Sequence, residues 1–150
     1  MTALPRPVAR AGDEEVAARL RLAVMRLARR LRQQTVGDLS PTLVSALATV
    51  ERHGPLTLGR LAELERVKRP SVTRVVTALE ERGLASCEAD AADKRVRRVA
   101  ISAAGRRLLQ RNRSRKTTYL TRQLAELSRD DVTSLARAVE VLERLLEADR

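Results

Sequence analysis

Two short amphipathic segments joined by a turn, within residues 57–84, constrain the fold more than any other feature of this chain. The second segment, VKRPSVTRVVTALEERGL, repeats apolar residues at intervals of three and four: Val72, Val75, Val76 and Leu79. This spacing places them on one face of an α-helix. The opposite face carries hydroxyl side chains and arginines instead of the mixed Glu and Lys of an ordinary solvated surface. The residues of the first segment expected to point inward are Leu58, Leu61, Ala62 and Val67. The pair predicts a helix-turn-helix whose second helix presents a polar, basic face.

Four further helices are predicted around this pair, at approximately residues 13–34, 40–54, 103–127 and 128–150. Their ends carry recognisable signals. Ser40 and Ser102 can cap, and Ser128 begins a capping box with Asp131. Pro41 fits a first helical position, and Gly54 suits a helix C-terminus. Residues 110–118 of the fifth helix contain no apolar side chain. We expect this stretch to cross solvent between two packed regions and to stay outside the core.

Residues 84–102, LASCEADAADKRVRRVAIS, change from a helical period to alternation. Val99 and Ile101 alternate with polar or small residues on one arm, and the other arm alternates similarly through Leu84, Ser86 and Glu88. The ADAADK tip supplies turn residues. The pattern predicts a β-hairpin of two short strands, which forms a wing after the helix-turn-helix.

The charge balance points to a polyanionic partner. The formal charge is +11, from 30 Lys and Arg against 19 Asp and Glu. Such an excess suits nucleic acid or an anionic membrane. No apolar run approaches the length of a membrane span, so no membrane partner is expected. The chain has no Trp or Phe, and its one Tyr is Tyr119. Because binders of single strands depend on aromatic stacking, a duplex is favoured.

Catalytic, metal and redox functions are disfavoured. His53 is the only histidine, no nucleophile motif surrounds it, and no glycine-rich phosphate loop is present; we expect no enzyme activity and no cofactor. His53 and Cys87 are too distant in sequence to suggest a metal site. The lone Cys87 cannot form an intrachain disulfide, and a small half-buried residue is favoured over a redox sensor. Residues 1–12 are rich in Pro and Ala and are expected to be a disordered tail. Nothing there resembles a signal peptide, so a cytoplasmic location is expected.

Four strings now occur in a specific order: LSPTLVSALATVERHGPLTLGRLAE, RPSVTRVVTALEERGL, DKRVRRVAIS and SAAGRRLL. Together they resemble the MarR family of winged helix-turn-helix transcriptional regulators, over about residues 14–147. The resemblance implies a mainly α fold with a small β-hairpin wing. It implies a DNA-binding lobe at residues 37–102 and a helical dimerisation region at residues 13–36 and 103–150, which interleaves with a second copy.

The resemblance also implies which residues contact DNA. In the recognition helix and its approach they are Lys68, Arg69, Ser71, Thr73, Arg74 and Thr77; in the wing they are Asp93, Lys94, Arg95 and Arg97. Arginine can donate two hydrogen bonds to guanine, and Ser or Thr can serve bases or phosphates. Arg95 is expected in the minor groove, oriented by a salt bridge from Asp93. Arg98 is a further candidate for phosphate contact. The alternative for both elements is a solvated basic surface. The family often has Ser or Thr where this chain has Lys68, which predicts a cap that is weaker or is supplied elsewhere.

The dimerisation residues expected from the apolar stripes are Val16, Leu20, Leu124, Leu135, Val139, Leu142 and Leu146. Arg26 and Arg30 are candidates for holding an anionic small-molecule effector, with a flat aromatic ligand disfavoured by the lack of aromatic side chains. The predicted function is a homodimeric regulator, a repressor relieved by a small ligand, on a pseudo-palindromic double-stranded operator. The alternative is a non-catalytic winged-helix module, architectural or binding RNA or protein, without ligand response.

Overall fold

The computed structural model describes residues 12–35, 37, 39–90 and 93–147, in two compact units, residues 1–35 and 36–150. The expected disorder of the tail falls, except for Gly12, outside the described residues. The first unit contributes helix α1, Asp13–Gln33. Acidic residues occupy its first turn and Arg30 and Arg32 its last, which complements the helix dipole.

The second unit contains five helices and three strands within its described residues. In chain order these are α2 (Pro41–His53), β1 (Leu56–Thr57), α3 (Leu58–Glu65), α4 (Arg69–Glu81), β2 (Ala85–Ala89), β3 (Arg97–Ile101), α5 (Ala103–Ala125) and α6 (Arg129–Glu147). The predicted class, mainly α with a small β wing, is confirmed.

The sheet has one strand more than the predicted hairpin. β3 lies in the centre and pairs antiparallel with β2 on one side and with β1 on the other. Leu56 of β1 lies opposite Val99, and Cys87 of β2 also lies opposite Val99. Because β1 is two residues long, it is too short to show alternation in the sequence. It attaches the wing directly to the start of α3.

The core of this unit lies between α2, α3, α4 and the sheet. Its most deeply buried side chains are Leu47, Val50, Leu61, Val72, Leu79 and Val99. Val76 is also buried, whereas Val75 and Cys87 are partly buried against the same cluster. The buried face of α4 therefore follows the spacing that the sequence predicted. Burying one such aliphatic side chain contributes about 1.5–3 kcal/mol, so this face fixes which side of α4 remains exposed.

Val67 does not point inward as expected; 43% of its surface is exposed. The reason is that α3 ends at Glu65, and Arg66 adopts a left-handed conformation with φ of 53°. The Arg66 N–H donates to Glu63 O at 3.1 Å, and the Val67 N–H donates to Ala62 O at 3.0 Å. This pair of bonds is the Schellman pattern that closes a helix end, and it turns the chain outward before α4.

Helix caps were well predicted by the sequence. The Ser40 hydroxyl accepts a hydrogen bond from Leu43 N at 3.4 Å, and the Ser102 hydroxyl accepts one from Gly105 N at 3.0 Å. The Ser128 hydroxyl accepts from Asp131 N at 3.1 Å. α4 is the exception, because Lys68 occupies its cap position and provides no side-chain hydrogen bond. The expected weak cap is confirmed.

The polar stretch at residues 110–118 is not wholly outside the core. Asn112 is only 2% exposed, one turn after the buried Leu108 and Leu109. The prediction was wrong for this first turn because α5 continues to pack on α2 beyond Leu109. Arg113 of α5 also forms an ion pair with Glu51 of α2.

Hydrogen bonds connect the end of α4 to the beginning of α5. Gly83 ends α4 with φ of 64°, and its carbonyl oxygen accepts a hydrogen bond from the Ser102 hydroxyl at 2.7 Å. The Ser102 N–H donates to Leu84 O at 3.0 Å. A Cβ atom added to Gly105 would lie 2.3 Å from that same Leu84 oxygen, so only glycine permits this approach. The joint holds the wing strands beside the recognition helix.

Candidate nucleic-acid interface

The outer face of α4 is exposed. Val72, Val76 and Leu79 hold the helix against the core, so the residues between them point away from it. The predicted contacts on this exposed side are Arg69, Ser71, Thr73, Arg74 and Thr77, and Lys68 lies exposed just before them. All six predicted residues of the recognition helix and its approach are thus exposed and lie outside the contact of α4 with the core.

The hydrogen-bonding state of these side chains differs. The Thr73 hydroxyl donates to the Arg69 carbonyl oxygen at 3.2 Å. In contrast, the side chains of Ser71, Arg74 and Thr77 make no hydrogen bond to any other residue that the structure describes. Their donors are therefore available to a ligand, whereas the single hydroxyl proton of Thr73 is already engaged.

Arg69 leans back over α3. Its guanidinium Nη2 and Nε lie 3.5 and 3.6 Å from the position that a Cβ on Gly59 would occupy. This places the charge of Arg69 beside the turn of the helix-turn-helix, away from the middle of the α4 surface.

An open groove of about 620 Å³ follows this turn, lined in part by Arg66, Lys68 and Arg69. Glu63 also lines it, but its carboxylate is paired with Arg60 at 2.8 Å. The groove therefore carries a net positive charge. Sequence reasoning missed Arg66, although its place between two predicted helices beside Lys68 was a usable signal.

At the wing, the carboxylate of Asp93 holds Arg95. Asp93 Oδ1 accepts from the Arg95 backbone N at 3.0 Å and from its Nε at 3.3 Å. The Arg95 side chain is otherwise 93% exposed, and Lys94 beside it is exposed as well. The ion pair expected between Asp93 and Arg95 is present, and it directs a cation outward from the hairpin.

Arg97 and Arg98 form contacts within the hairpin. Arg97 Nη2 donates to the carbonyl oxygen of Cys87 at 2.8 Å, and Arg98 forms an ion pair with Asp90. Both arginines remain exposed, but each is already engaged with the facing arm of the wing. Cys87 is half-buried, and its N–H donates to a Glu80 carboxylate oxygen at 2.9 Å.

The carboxylate of Glu65, which the sequence did not single out, fixes the helix that precedes α4. Glu65, at the end of α3, accepts hydrogen bonds from Ser45 at 2.8 Å and from Thr49 at 2.5 Å, both on α2. These bonds fix the end of α3 immediately before the turn to α4. Nothing local in the sequence marks Glu65, because its partners lie 16 and 20 positions away.

The remaining predicted residues lie on the other helices. The expected effector ligands, Arg26 and Arg30, are exposed on α1 and separated by about one helical turn. Of the expected dimerisation residues, those exposed in the single chain are Val16, Leu20, Leu124, Leu135, Val139 and Leu146. Leu142 is half-buried.

The described residues hold no cluster of three or more His, Cys, Asp or Glu able to bind a metal ion. Among the helices in the described ranges, none has both the length and the apolar content to span a bilayer.

Comparison with known proteins identifies the family to which this fold belongs. The model of the MarR family matches residues 39–96, which include α2, α3, α4 and β2 and end just before β3. An HTH-type transcriptional regulator of Mycobacterium leprae is 35% identical over 136 residues, covering 90% of this chain and 95% of the relative.

Solved structures show the same fold. A putative transcriptional regulator from Pseudomonas aeruginosa superposes with a TM-score of 0.82 at 31% identity, covering 92% of this chain and 98% of the other. A variant of S. aureus MepR bound to an oligodeoxyribonucleotide superposes with a TM-score of 0.71 at 19% identity, covering 87% and 97% of the two chains. The chain belongs to the MarR family of DNA-binding winged-helix transcriptional regulators, which are not enzymes.

Proposed function

We propose that this regulator is a homodimer that binds a pseudo-palindromic DNA duplex. Two copies of α4 enter successive major grooves about one turn apart, and the two wings reach the flanking minor grooves. The observation that carries the proposal is the outer face of α4, where Ser71, Arg74 and Thr77 are exposed together with their donors unused. The MepR variant of the same fold is bound to an oligodeoxyribonucleotide.

The cationic side chains around this face have different roles in DNA binding. Arg74 lies in the middle of α4, where an arginine can donate two hydrogen bonds to a guanine edge. Arg66, Lys68 and Arg69 line the groove at the turn and suit backbone phosphates, which set register and affinity without reading sequence. Arg95 extends from the wing and suits a narrow minor groove, where the negative potential is concentrated.

The dimer follows from the apolar side chains on α6 and α1. Leu135, Val139, Leu142 and Leu146 repeat at intervals of three and four along α6, and Val139 is 51% exposed in the single chain. A second copy would bury this stripe together with those of α1 and the end of α5. We assign residues 13–36 and 103–150 to this dimerisation region and residues 37–102 to the DNA-binding lobe. A two-fold axis between copies matches an inverted repeat in the operator.

An anionic effector completes the proposal. Arg26 and Arg30 lie exposed on α1 and form no ion pair with other residues that the structure describes. They suit a carboxylate or phenolate, whose binding would separate the two DNA readers and relieve repression.

The deciding experiment is selection of bound duplexes from a random DNA pool by purified protein at moderate salt. Enrichment of an inverted repeat with half-sites about one turn apart is expected, together with a dimeric mass in solution. Arg74→Ala should alter the selected motif, whereas Arg122→Ala on α5 removes the same charge and should leave the motif unchanged. Binding that follows charge alone, with no enriched motif, would instead indicate an architectural or RNA-binding module.

A further inference from the structure

Thr73 differs from the other hydroxyl residues on α4 because its proton is already donated to the Arg69 carbonyl oxygen. A threonine hydroxyl has a single proton, so Thr73 has no donor left for a base. What it still offers to a ligand is its methyl group, Cγ2, and the acceptor side of its oxygen. Thr73 is exposed, so the methyl group is accessible from outside the helix.

The neighbourhood of Thr73 is apolar on one side. Pro70 lies three positions earlier, and residues at this spacing are adjacent on a helix surface. Its ring is exposed, and it carries no backbone N–H. Pro70 and the Thr73 methyl group are therefore neighbouring apolar groups within an otherwise polar face. Ser71 and Arg74 lie on the adjoining strip, where their donors are free.

The major groove offers one apolar feature that differs between base pairs, the C5-methyl group of thymine. We propose that Thr73 is a specificity-determining residue that recognises a thymine by contact between its Cγ2 methyl group and the C5-methyl group, with Pro70 flanking the contact. The proposal rests on the DNA-binding mode given above and deepens it. It assigns the preference at one base pair of each half-site to van der Waals contact and not to hydrogen bonding.

The test begins with the inverted repeat selected by the wild-type protein. Each thymine pair, one in each half-site, is replaced by deoxyuridine, which keeps the hydrogen-bonding edge and removes only the methyl group. One thymine should prove sensitive, with an affinity loss of about fourfold for each half-site, as expected for one methyl group returned to water.

Two substitutions then identify the protein side of the contact. Thr73→Ser removes Cγ2 and keeps the hydroxyl, so it should bind the thymine operator as weakly as the wild type binds the uracil operator. It should no longer distinguish the two. Thr73→Val keeps the methyl group and removes the hydroxyl, so its preference for thymine should persist. Thr133→Ser on α6 is the matched control, because its hydroxyl donates to Arg129 O at 2.9 Å in the same way.

The outcomes separate the two proposals. If an operator is selected but no thymine is sensitive to loss of its methyl group, the DNA-binding mode stands and the assignment of Thr73 is overturned. Retention of thymine preference by Thr73→Ser, or its loss in Thr73→Val, would also overturn it and point to the hydroxyl oxygen. If no operator is selected at all, the proposed function fails and this inference fails with it.

Discussion

Asp93 binds Arg95 at two points through one oxygen, at 3.0 Å from the backbone N and 3.3 Å from the side-chain Nε. The first bond fixes the backbone of the turn at Arg95. The second bond then orients the Arg95 side chain relative to that fixed backbone. The guanidinium keeps its terminal nitrogens free on a side chain that is 93% exposed. An exposed ion pair of this kind adds little stability, so its value lies in where it directs the cation.

The contact between Asp93 and Arg95 predicts that substituting each residue by alanine changes DNA binding in a different way. Arg95→Ala should lower operator affinity and reduce the slope of log affinity against log salt by about one per protomer, since a cation near phosphate is lost. Asp93→Ala keeps that cation but frees it to move. It should weaken the preference for A·T-rich flanks, whereas nonspecific affinity should not fall, because the substitution also removes a negative charge near the DNA. Fluorescence anisotropy over a salt series, on operators with A·T and G·C flanks, measures both quantities. Equal flank preference in the wild type and Asp93→Ala would contradict the orienting role.

Arg74 should behave as a base reader. Its side chain is exposed in the middle of α4 and makes no hydrogen bond to other residues in the described ranges. Arg74→Ala should cost about 1–3 kcal/mol per half-site on the selected operator and relax the preference at one base pair. Competition with operators altered at each position locates that pair. An equal loss on every sequence would show that Arg74 contacts only phosphate.

Arg69, unlike Arg74, should behave as a phosphate contact that does not read the base sequence. Its guanidinium lies over Gly59 beside the groove of the turn, with Lys68 and Arg66 nearby. Arg69→Ala should weaken binding nearly uniformly across sequences and lower the salt slope by about one per protomer. The same competition assay checks this directly. A change of preferred base in this variant would show that the side chain leaves Gly59 and reaches the base edges.

The features that the sequence predicted well are local. The buried face of α4 is encoded in the spacing of Val72, Val76 and Leu79, and this face alone determines which residues remain outside. The cap at Ser102 is marked by one residue before a helical segment, and it was predicted for the same reason. The position of the wing followed from alternation around Val99.

The features that the sequence did not reveal depend on partners distant along the chain. Glu65 is fixed by two hydroxyl groups of α2, and no periodicity records this. β1 exists only because Leu56 meets β3, more than forty residues later. Asn112 is buried inside a stretch without apolar residues, since its burial is decided by the contact of α5 with α2. Arg69 likewise packs over Gly59 of α3, ten positions earlier in the chain.

Gly105 should be intolerant of any side chain. A Cβ there would lie 2.3 Å from Leu84 O and 2.8 Å from Ile101 Cγ1, and the first of these is backbone that cannot rotate away. Gly105→Ala should lower the free energy of unfolding by about 1–3 kcal/mol, measured by urea denaturation at one fixed protein concentration. Gly59→Ala is the matched control, because its Cβ would make only ordinary contacts at 3.5 Å or more. It should be neutral or stabilise α3 by up to about 1 kcal/mol. Similar losses in both variants would contradict the close approach between α5 and the end of α4.

The stripe on α6 should be required for dimerisation and, through it, for operator binding. Val139→Glu places a charge in the middle of a surface that the dimer would bury, where an unpaired carboxylate is strongly disfavoured. Sedimentation at micromolar concentration should show a monomer, and the variant should lose its preference for an inverted repeat over a single half-site. Thr133→Glu adds the same charge on the opposite side of α6 and should remain dimeric. If Val139→Glu is also dimeric, the α6 stripe is not the interface. If it is monomeric but still prefers the full inverted repeat, the two-fold match between protein and operator is wrong.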